Sequence, residues 1–335
     1  MSSVACKSKT PPAARDLAPA SLIGEAGAWL RLERDADTII LRPSGPMPRR
    51  CTIRPVAIFE HASGFVEANT IMGRLIFANG ACEPQTYRPF TKDPKRRLVE
   101  LFFPVEPMPT DDWPNSPKRW AHCQAIAKRL LGLAGFGWSG FSVNEAEELV
   151  KFVHRPEPLD ACVLHALAQA YQSRGHCVIE IGSFRGSSGS IFAMALRALR
   201  CDAALISIDS HEEQPFNLAQ VRLAFQQIGE ERRLVQISQR SDQAWRLLRP
   251  GSASLIFIDG DHSHEQVLAD FRNYRDLIAP GGCLLFHDYG CGDHNGLPDT
   301  HPGVRQAVDE HVLPDPHFRP LLLAHTLMAF EKHNG

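Results

Sequence analysis

The sequence predicts an α/β protein whose second half folds as a doubly wound, mostly parallel sheet, preceded by a smaller β-rich unit. Two observations predict the sheet. Apolar strands and helical segments alternate from about residue 177, and a glycine-rich turn follows the first of those strands. A third observation predicts the β-rich unit: between residues 37 and 105, short β-branched and aromatic runs are separated by Gly, Pro and Asn turns.

Composition narrows the class of protein. A chain of 335 residues fits two domains better than one, and 44% apolar with 22% charged residues is typical of a soluble globular protein. The net charge of −2 provides no general attraction, so we expect no nucleic-acid and no membrane partner. We find neither an apolar run of about 18 residues nor a secretory signal. Nine scattered cysteines without a C-x-x-C motif predict reduced thiols and a cytoplasmic location.

The chain divides into four predicted parts. Residues 1–20, which are polar and rich in Pro and Ala, predict a disordered tail, and residues 21–110 predict a β-rich domain of unknown role. Residues 111–140 predict a linker and a helix that starts near Ser116, with Pro117 at its first position. Residues 141–335 form the second domain. Because prolines cluster just before Ser116, we expect a contact-poor boundary there.

Within the second domain, the elements follow one another at short spacing. The run Ser142-Val-Asn-Glu145 predicts a capping box and a helix to about residue 153, and a third helix covers about residues 159–173. Strands are predicted at residues 177–182, 204–209, 233–237, 254–259 and 283–287, with helices between them. Two apolar runs near the end of the chain, at residues 320–325 and 326–330, predict an antiparallel hairpin.

The turn after the first of these strands carries the clearest binding signal. Its glycines, at positions 182, 186 and 189, miss the G-x-G-x-x-G spacing of dinucleotide-binding turns, which disfavours a nicotinamide-dependent oxidoreductase. Glu180 also suits a diphosphate poorly. An acid beside an open glycine loop suits a ligand that is cationic and rich in hydroxyls, such as S-adenosylmethionine. The alternative is an ordinary strand-to-helix turn.

The ends of the other strands supply further candidates, because ligands of doubly wound sheets bind beyond the carboxyl ends of the strands. Asp209 ends the second strand and is placed to accept hydrogen bonds from ribose hydroxyls, unless it only caps the following helix. Ser241 follows the third strand, near the expected adenine position.

Acids and histidines follow the fourth and fifth strands. Asp259 and Asp288 would repel each other unless a cation or a proton neutralised them, which predicts Mg²⁺ or Mn²⁺ with His287 as a further ligand. Asp261, His262 and His264 lie on the same rim and are candidates for the general base. The alternatives are acids that cap loops and a buried His287 bonded to a backbone carbonyl.

These motifs, taken in order, resemble those of a known family. They are Glu180-Ile-Gly-Ser-Phe-Arg-Gly-Ser-Ser188, Asp209, Ile258-Asp-Gly-Asp261 and the pair His287-Asp288 after Gly-Gly. From about Ser142 to Phe330 the chain resembles class I S-adenosylmethionine-dependent methyltransferases, which have a Rossmann-like sheet. Within them it is similar to metal-dependent O-methyltransferases that act on sugars and macrolides.

The resemblance implies a role for each matching position. The methionine and ribose pocket falls on Glu180, Gly182, Ser183 and Gly186. The ribose acid falls on Asp209, the adenine contact on Ser241, the metal aspartate on Asp259 and the base on Asp261. In the family an acidic pair follows the Gly-Gly; here His287 replaces its first acid, beside Asp288.

The predicted function is therefore transfer of a methyl group from S-adenosylmethionine to a hydroxyl of a small-molecule or glycan acceptor, such as a sugar or a secondary metabolite. The alternative is a non-catalytic binding module with this fold, attached to a β-rich recognition domain. The sequence leaves the identity of the acceptor and any homo-oligomerisation open.

Overall fold

A computed structural model describes twelve segments of the chain: residues 30–35, 38–43, 51–53, 56–70, 75–77, 85–87, 96–102, 117–149, 157–172, 175–212, 215–290 and 300–333. The predicted disordered tail (1–20) and the proline-rich stretch before residue 117 lie outside these residues. In the part of the chain that the structure describes, no helix combines the length and apolar character needed to span a membrane.

Fifteen strands and eight α-helices are formed by the described residues. The strands are β1 (Leu30–Asp35), β2 (Thr38–Pro43), β3 (Cys51–Ile53), β4 (Val56–His61), β5 (Val66–Thr70), β6 (Leu75–Phe77), β7 (Gln85–Tyr87), β8 (Arg96–Phe102), β9 (Cys177–Ile181), β10 (Leu205–Ile208), β11 (Leu234–Ile237), β12 (Ala253–Ile258), β13 (Ile278–Phe286), β14 (Phe318–Ala324) and β15 (Leu327–Lys332). The helices are α1 (Pro117–Leu133), α2 (Val143–Leu149), α3 (Pro158–Tyr171), α4 (Ser187–Ala198), α5 (Phe216–Gln227), α6 (Ser241–Ala244), α7 (His264–Tyr274) and α8 (Pro302–Ala307).

A ten-stranded sheet with the order β11-β10-β9-β12-β13-β15-β14-β5-β4-β8 forms the centre of the protein. The five strands from β11 to β13 are parallel, and Ile179 of β9 lies opposite Ile206 on one side and Ile256 on the other. β14 and β15 form an antiparallel hairpin that pairs with β13 through β15. The doubly wound α/β sheet with a C-terminal antiparallel hairpin is therefore confirmed.

The N-terminal strands are present, but three of them belong to the main sheet. β5 pairs with β14 in parallel, with Val66 opposite Leu322, and β4 and β8 continue the sheet beyond it. The remaining described strands form two small sheets, β1-β2-β7 and β3-β6. A domain boundary at about residue 110 stays a prediction. The pairing of β5 with β14 connects residues before this position to residues after it in one sheet.

Helices cover both faces of the main sheet. α1, α3, α4 and α5 pack on one face, where Pro158–Ala168 of α3 is buried along its whole length. α7, α8 and a short π-helix at Val308–Val312 pack on the other face. The predicted capping box is formed before α2, because Glu145 N–H donates to Ser142 Oγ at 3.3 Å and Ser142 N–H donates to Glu145 Oε2 at 2.8 Å. With both faces covered, the accessible edge is the one at the carboxyl ends of the parallel strands.

Candidate functional site

Two cavities open at the carboxyl ends of the parallel strands. The larger has a volume of about 710 Å³ and the smaller about 270 Å³. Both are lined by Gly182, Phe184, Asp259, His287 and Asp288, so they meet at the ends of β9, β12 and β13. The larger also includes Asp209, Ser241, Asp261 and His262; the smaller also includes Ser183, Asp160 and His325.

Glycine is required at position 182 by the protein itself. Gly182 has a φ of +87°, and a Cβ atom there would lie 2.0 Å from the carbonyl oxygen of Asp259. The turn after β9 and the turn after β12 touch at this point, and Asp259 N–H donates to Ile181 O at 2.8 Å. Gly186 also has a positive φ of +84° and lies just before α4. The sequence resemblance attributes Gly182 to the ligand pocket. In the structure, the backbone of Asp259 occupies the space where a side chain at position 182 would lie.

Glu180 lies beneath the loop rather than in either cavity. It is fully buried, and its carboxyl accepts hydrogen bonds from Ser188 Oγ at 2.5 Å and Ser207 Oγ at 3.1 Å. Burial raises the pKa of Glu180 to about 8, although the two serine hydrogen bonds favour the charged form. The acid predicted to attract a cationic ligand therefore holds a proton at neutral pH and supports the loop from below.

Asp209 connects the glycine loop to the end of β10. Its Oδ2 accepts hydrogen bonds from the N–H groups of Ser183 at 3.1 Å and Phe184 at 3.0 Å, and its Oδ1 accepts one from His211 N–H at 2.8 Å. A carboxylate has about four acceptor positions, so room remains for ribose hydroxyls. Asp209 lines the larger cavity, as its predicted role requires.

The other two donor-site candidates, Ser183 and Ser241, line different cavities. Ser183 is buried, lines the smaller cavity, and has its Oγ 2.5 Å from Ser207 Oγ. Ser241 is the first residue of α6 and lines the larger cavity, where its Oγ accepts a hydrogen bond from Gln266 Nε2 at 3.0 Å.

Four potential metal ligands converge where the two cavities meet. One ligand atom from each of Asp259, His262, His287 and Asp288 lies within 4.8 Å of all the others. His287 Nδ1 is 3.0 Å from Asp259 Oδ1 and 3.3 Å from Asp288 Oδ1. His262 Nε2 is 3.0 Å from Asp288 Oδ2 and 3.6 Å from Asp259 Oδ1. The structure brings the three predicted ligands together and adds His262, which the sequence placed among the bases.

The positive and negative charges of the four side chains in this cluster offset one another. Close contact with Asp259 and Asp288 raises the pKa of His262 to about 9. Burial opposes the charged form of His287, but the charge of Asp259 and contacts with Asp160, Asp259 and Asp288 outweigh it and raise the pKa of His287. Two imidazolium groups thus neutralise two carboxylates. A divalent cation can replace this positive charge, with release of protons from the imidazoles.

A second row of polar groups lies behind His287. The buried Asp160 has its Oδ2 3.6 Å from His287 Nε2 and 3.0 Å from His325 Nδ1, and it accepts a hydrogen bond from Thr326 Oγ1 at 3.0 Å. Burial raises the pKa of Asp160, but the charges and hydrogen bonds of the two histidines lower it to about 2. Asp160 was not among the site residues predicted from the sequence; its signal is a lone acid inside the apolar helix α3.

The remaining two base candidates are arranged differently from the prediction. Asp261 is exposed at the rim of the larger cavity, and its Oδ1 accepts a hydrogen bond from Ser263 N–H at 2.8 Å. His264 lines neither cavity. Because α7 begins at His264, the side chain turns away from the strand ends, and its Nε2 lies 3.3 Å from Glu310 Oε2. The prediction that His264 shares one rim with Asp261 and His262 is therefore wrong.

Backbone strain concentrates around the cavities. Five described residues other than glycine have a positive φ between 43° and 58°. Four of them line a cavity: Phe184, His211, Asp288 and His325. Such conformations cost about 1–3 kcal/mol each and cluster at ligand-binding and catalytic sites. Phe184 is also a partly exposed aromatic side chain in both cavities, which the sequence analysis did not single out.

The region of the chain that contains this site resembles known proteins. Residues 179–289, which contain the glycine loop and the four-residue cluster, match a family model described as a methyltransferase domain. The uncharacterized protein R132 of Acanthamoeba polyphaga mimivirus is 27% identical over 150 residues, or 44% of this chain. The matched region spans 65% of the length of that relative.

Solved structures of similar architecture include two methyltransferases. The methyltransferase PaMTH1 of Podospora anserina is 15% identical, with a TM-score of 0.47 over 68% of this chain and 99% of its own. The O-methyltransferase TomG of Streptomyces achromogenes is 18% identical, with a TM-score of 0.46 over 65% of this chain and 98% of its own. At these TM-scores the similarity shows neither a shared substrate nor a shared mechanism.

The family match covers the same strand ends on which the sequence resemblance rests: the glycine loop, Asp209, and the acids after β12 and β13. The resemblance to methyltransferases is thus confirmed for residues 179–289, which match a methyltransferase domain.

Proposed function

We propose that the protein transfers the methyl group of S-adenosylmethionine to a hydroxyl oxygen of a sugar or secondary-metabolite acceptor, with the help of a divalent metal ion. One observation carries this proposal: a cluster of two carboxylates and two imidazoles lies where two cavities meet. The larger cavity runs from Ser241 past Asp209 to this cluster. A donor held at Asp209 would therefore have its reactive end near Asp259 and Asp288.

The donor-side residues fit S-adenosylmethionine, which supplies an electrophilic methyl group on a cationic sulfur. Asp209 has free acceptor positions for ribose hydroxyls and is fixed by the N–H groups of the glycine loop. Because the same carboxylate orients the loop and faces the cavity, binding of the ribose and positioning of Gly182 are coupled.

The cluster also fits a divalent ion. Asp259 and Asp288 provide oxygen ligands, and His287 provides a nitrogen ligand, within a span that one ion can bridge, with His262 beside them. Nδ1 of His287 is buried without a well-directed hydrogen bond, as expected of a group aimed at a cation. When bound, Mg²⁺ or Mn²⁺ would lower the pKa of a coordinated acceptor hydroxyl and offset the negative charge of the two aspartates.

With a divalent cation at Asp259 and Asp288, His262 would release its proton, and it is then the residue best placed to accept the hydroxyl proton. It lines the larger cavity, and the imidazolium formed by proton uptake would be stabilised by Asp288 at 3.0 Å and Asp259 at 3.6 Å. Asp261, the base implied by the family resemblance, keeps one oxygen on Ser263 N–H and has the other free. The two assignments differ in a measurable way, since only one of the two side chains should be essential.

The test measures transfer of a labelled methyl group from S-adenosylmethionine to a panel of glycans, phenols and secondary metabolites, with Mg²⁺, with Mn²⁺ and with EDTA. We expect transfer to an acceptor hydroxyl that stops in EDTA and returns with either metal. Asp288→Asn and His262→Gln should lose transfer but retain donor binding by calorimetry. Asp202→Asn, which changes an exposed acid outside both cavities, is the matched control and should remain active.

Each part of the proposal fails on a different result. Full turnover in EDTA and in Asp288→Asn would refute the metal. Loss of transfer in Asp261→Asn but not in His262→Gln would assign the base to Asp261. Donor binding without transfer to any acceptor would favour the non-catalytic binding module.

A further inference from the structure

A second group of metal-ligating side chains lies outside both cavities. It consists of His264 at the start of α7 and of Glu310 and His311 in the π-helix, and one ligand atom from each lies within 4.8 Å of the other two. His264 Nε2 is 3.3 Å and His311 Nε2 is 3.9 Å from the same carboxylate oxygen, Oε2 of Glu310. The centroids of the two imidazole rings are 5.9 Å apart, and the ring planes are tilted by 46°.

The partners of Glu310 leave this oxygen free for both histidines. Gln306 Nε2 donates to Glu310 Oε1 at 3.1 Å, so the two carboxylate oxygens have separate roles. Nε2 of His264 is buried and has no well-directed hydrogen bond, even though Glu310 is near. A buried imidazole nitrogen of this kind needs a partner, and a cation bound between the three side chains would supply one.

The backbone holds the two segments at a fixed distance. Gly303 lies at the start of α8, where a Cβ atom would be 2.5 Å from His262 O and 2.6 Å from His264 N. The helix that leads into Glu310 and His311 therefore packs directly on the segment that carries His264. Glu310 and His311 themselves belong to a π-helix, a rare conformation that is frequent at functional sites. The three ligands are thus preorganised by packing.

We propose that His264, Glu310 and His311 bind a second divalent ion of the zinc class, with a water molecule in the open position. Two imidazole nitrogens and one carboxylate are a common zinc ligand set, whereas the cluster at Asp259 and Asp288 is richer in oxygen. The ion would tie the start of α7 to the π-helix. Because His262 lies two residues before His264, this tie would hold the loop that carries His262 in place. The inference stands independently of the proposed methyl transfer.

The test counts zinc ions in metal-stripped protein purified without a polyhistidine tag. All zinc titrations use a double variant, Asp259→Asn with Asp288→Asn, which lacks the carboxylates of the first cluster and is called the background protein. We expect this background to bind one zinc ion by calorimetry, and His311→Gln or Glu310→Gln to weaken that binding by at least about tenfold. His317→Gln, an exposed histidine in the same region, is the matched control and should not change the affinity.

Thermal unfolding provides a second readout, which does not depend on enzymatic activity. Zinc should raise the midpoint of unfolding of the background protein but not that of its His311→Gln derivative. The proposal is overturned if the background binds no zinc, or if His317→Gln weakens binding as much as His311→Gln does. If either Glu310→Gln or His311→Gln does not fold by circular dichroism, the result of the other variant decides. Both side chains are partly or largely solvent-accessible, so their replacement should not disrupt the core.

Discussion

Replacement of Glu180 by glutamine should stabilise the protein, and increasingly so as the pH rises. Glu180 is fully buried beneath the glycine loop, and its carboxyl accepts hydrogen bonds from Ser188 and Ser207. A glutamine has nearly the same shape, and the serine hydroxyls can rotate to match its amide. The substitution therefore removes a proton-binding group while it keeps the packing and most of the hydrogen bonding.

The magnitude follows from the pKa. Burial raises the pKa of Glu180 from 4.5 to about 8 in the folded protein. Between these values the folded protein holds a proton that the unfolded chain has released. The contribution of Glu180 to the free energy of unfolding is therefore highest below pH 4.5 and falls by about 1.4 kcal/mol per pH unit up to about pH 8. Between pH 5 and pH 7.5 the loss amounts to about 3 kcal/mol, which Glu180→Gln avoids.

Urea unfolding of the wild type and of Glu180→Gln at pH 5 and pH 7.5 measures this difference. The stability advantage of Glu180→Gln should grow by about 3 kcal/mol between the two conditions. Glu148→Gln, which removes a partly exposed carboxylate paired with Arg197, controls for the loss of any glutamate. If the two proteins showed parallel pH dependence, Glu180 would be ionised in the folded state and the proposed neutral support beneath the loop would be wrong.

Three further predictions test the loop, the donor pocket and the sheet. Gly229→Ala should destabilise the protein by about 1–2 kcal/mol, because the residue has a positive φ but open space around its Cβ position. Gly182→Ala should cost clearly more in thermal unfolding, because its Cβ would also collide with backbone. Asp209→Asn should weaken donor binding by about 1.5–3 kcal/mol in calorimetry, whereas Asp202→Asn should not. A fragment that begins at Pro117 lacks the strand paired with β14 and should aggregate in size-exclusion chromatography; a soluble monomer would support a domain boundary there.

The convergence of the site could be predicted from the sequence because it follows from one geometric rule. The carboxyl ends of parallel strands lie at one edge of a sheet, so acids and histidines that follow β12 and β13 must be near each other. Asp259, His287 and Asp288 obey this rule, and His262 follows β12 closely enough to join them. The rule predicts where a strand ends but not which way the side chains of the next helix point. For this reason His264 was wrongly placed on the rim, whereas it faces Glu310.

Other parts of the site depend on contacts between distant segments. Asp160 comes from the middle of the chain and meets His325, which lies in the turn between β14 and β15. β5 pairs with β14 across more than 250 residues. The alternation of apolar residues identifies a strand but carries no information on its partner, so neither the row behind His287 nor the extension of the sheet could be read from local patterns.

The acidic side chains below and above the glycine loop have different electrostatic roles. Below the loop Glu180 stays neutral, because burial and the charges of Asp259 and Asp209 oppose its ionisation. The negative charge available to a cationic donor is therefore supplied above the loop, by Asp209. In the absence of a metal, His262 and His287 neutralise Asp259 and Asp288. Donor recognition then rests on Asp209, which leaves the cluster at the strand ends free to act on the acceptor.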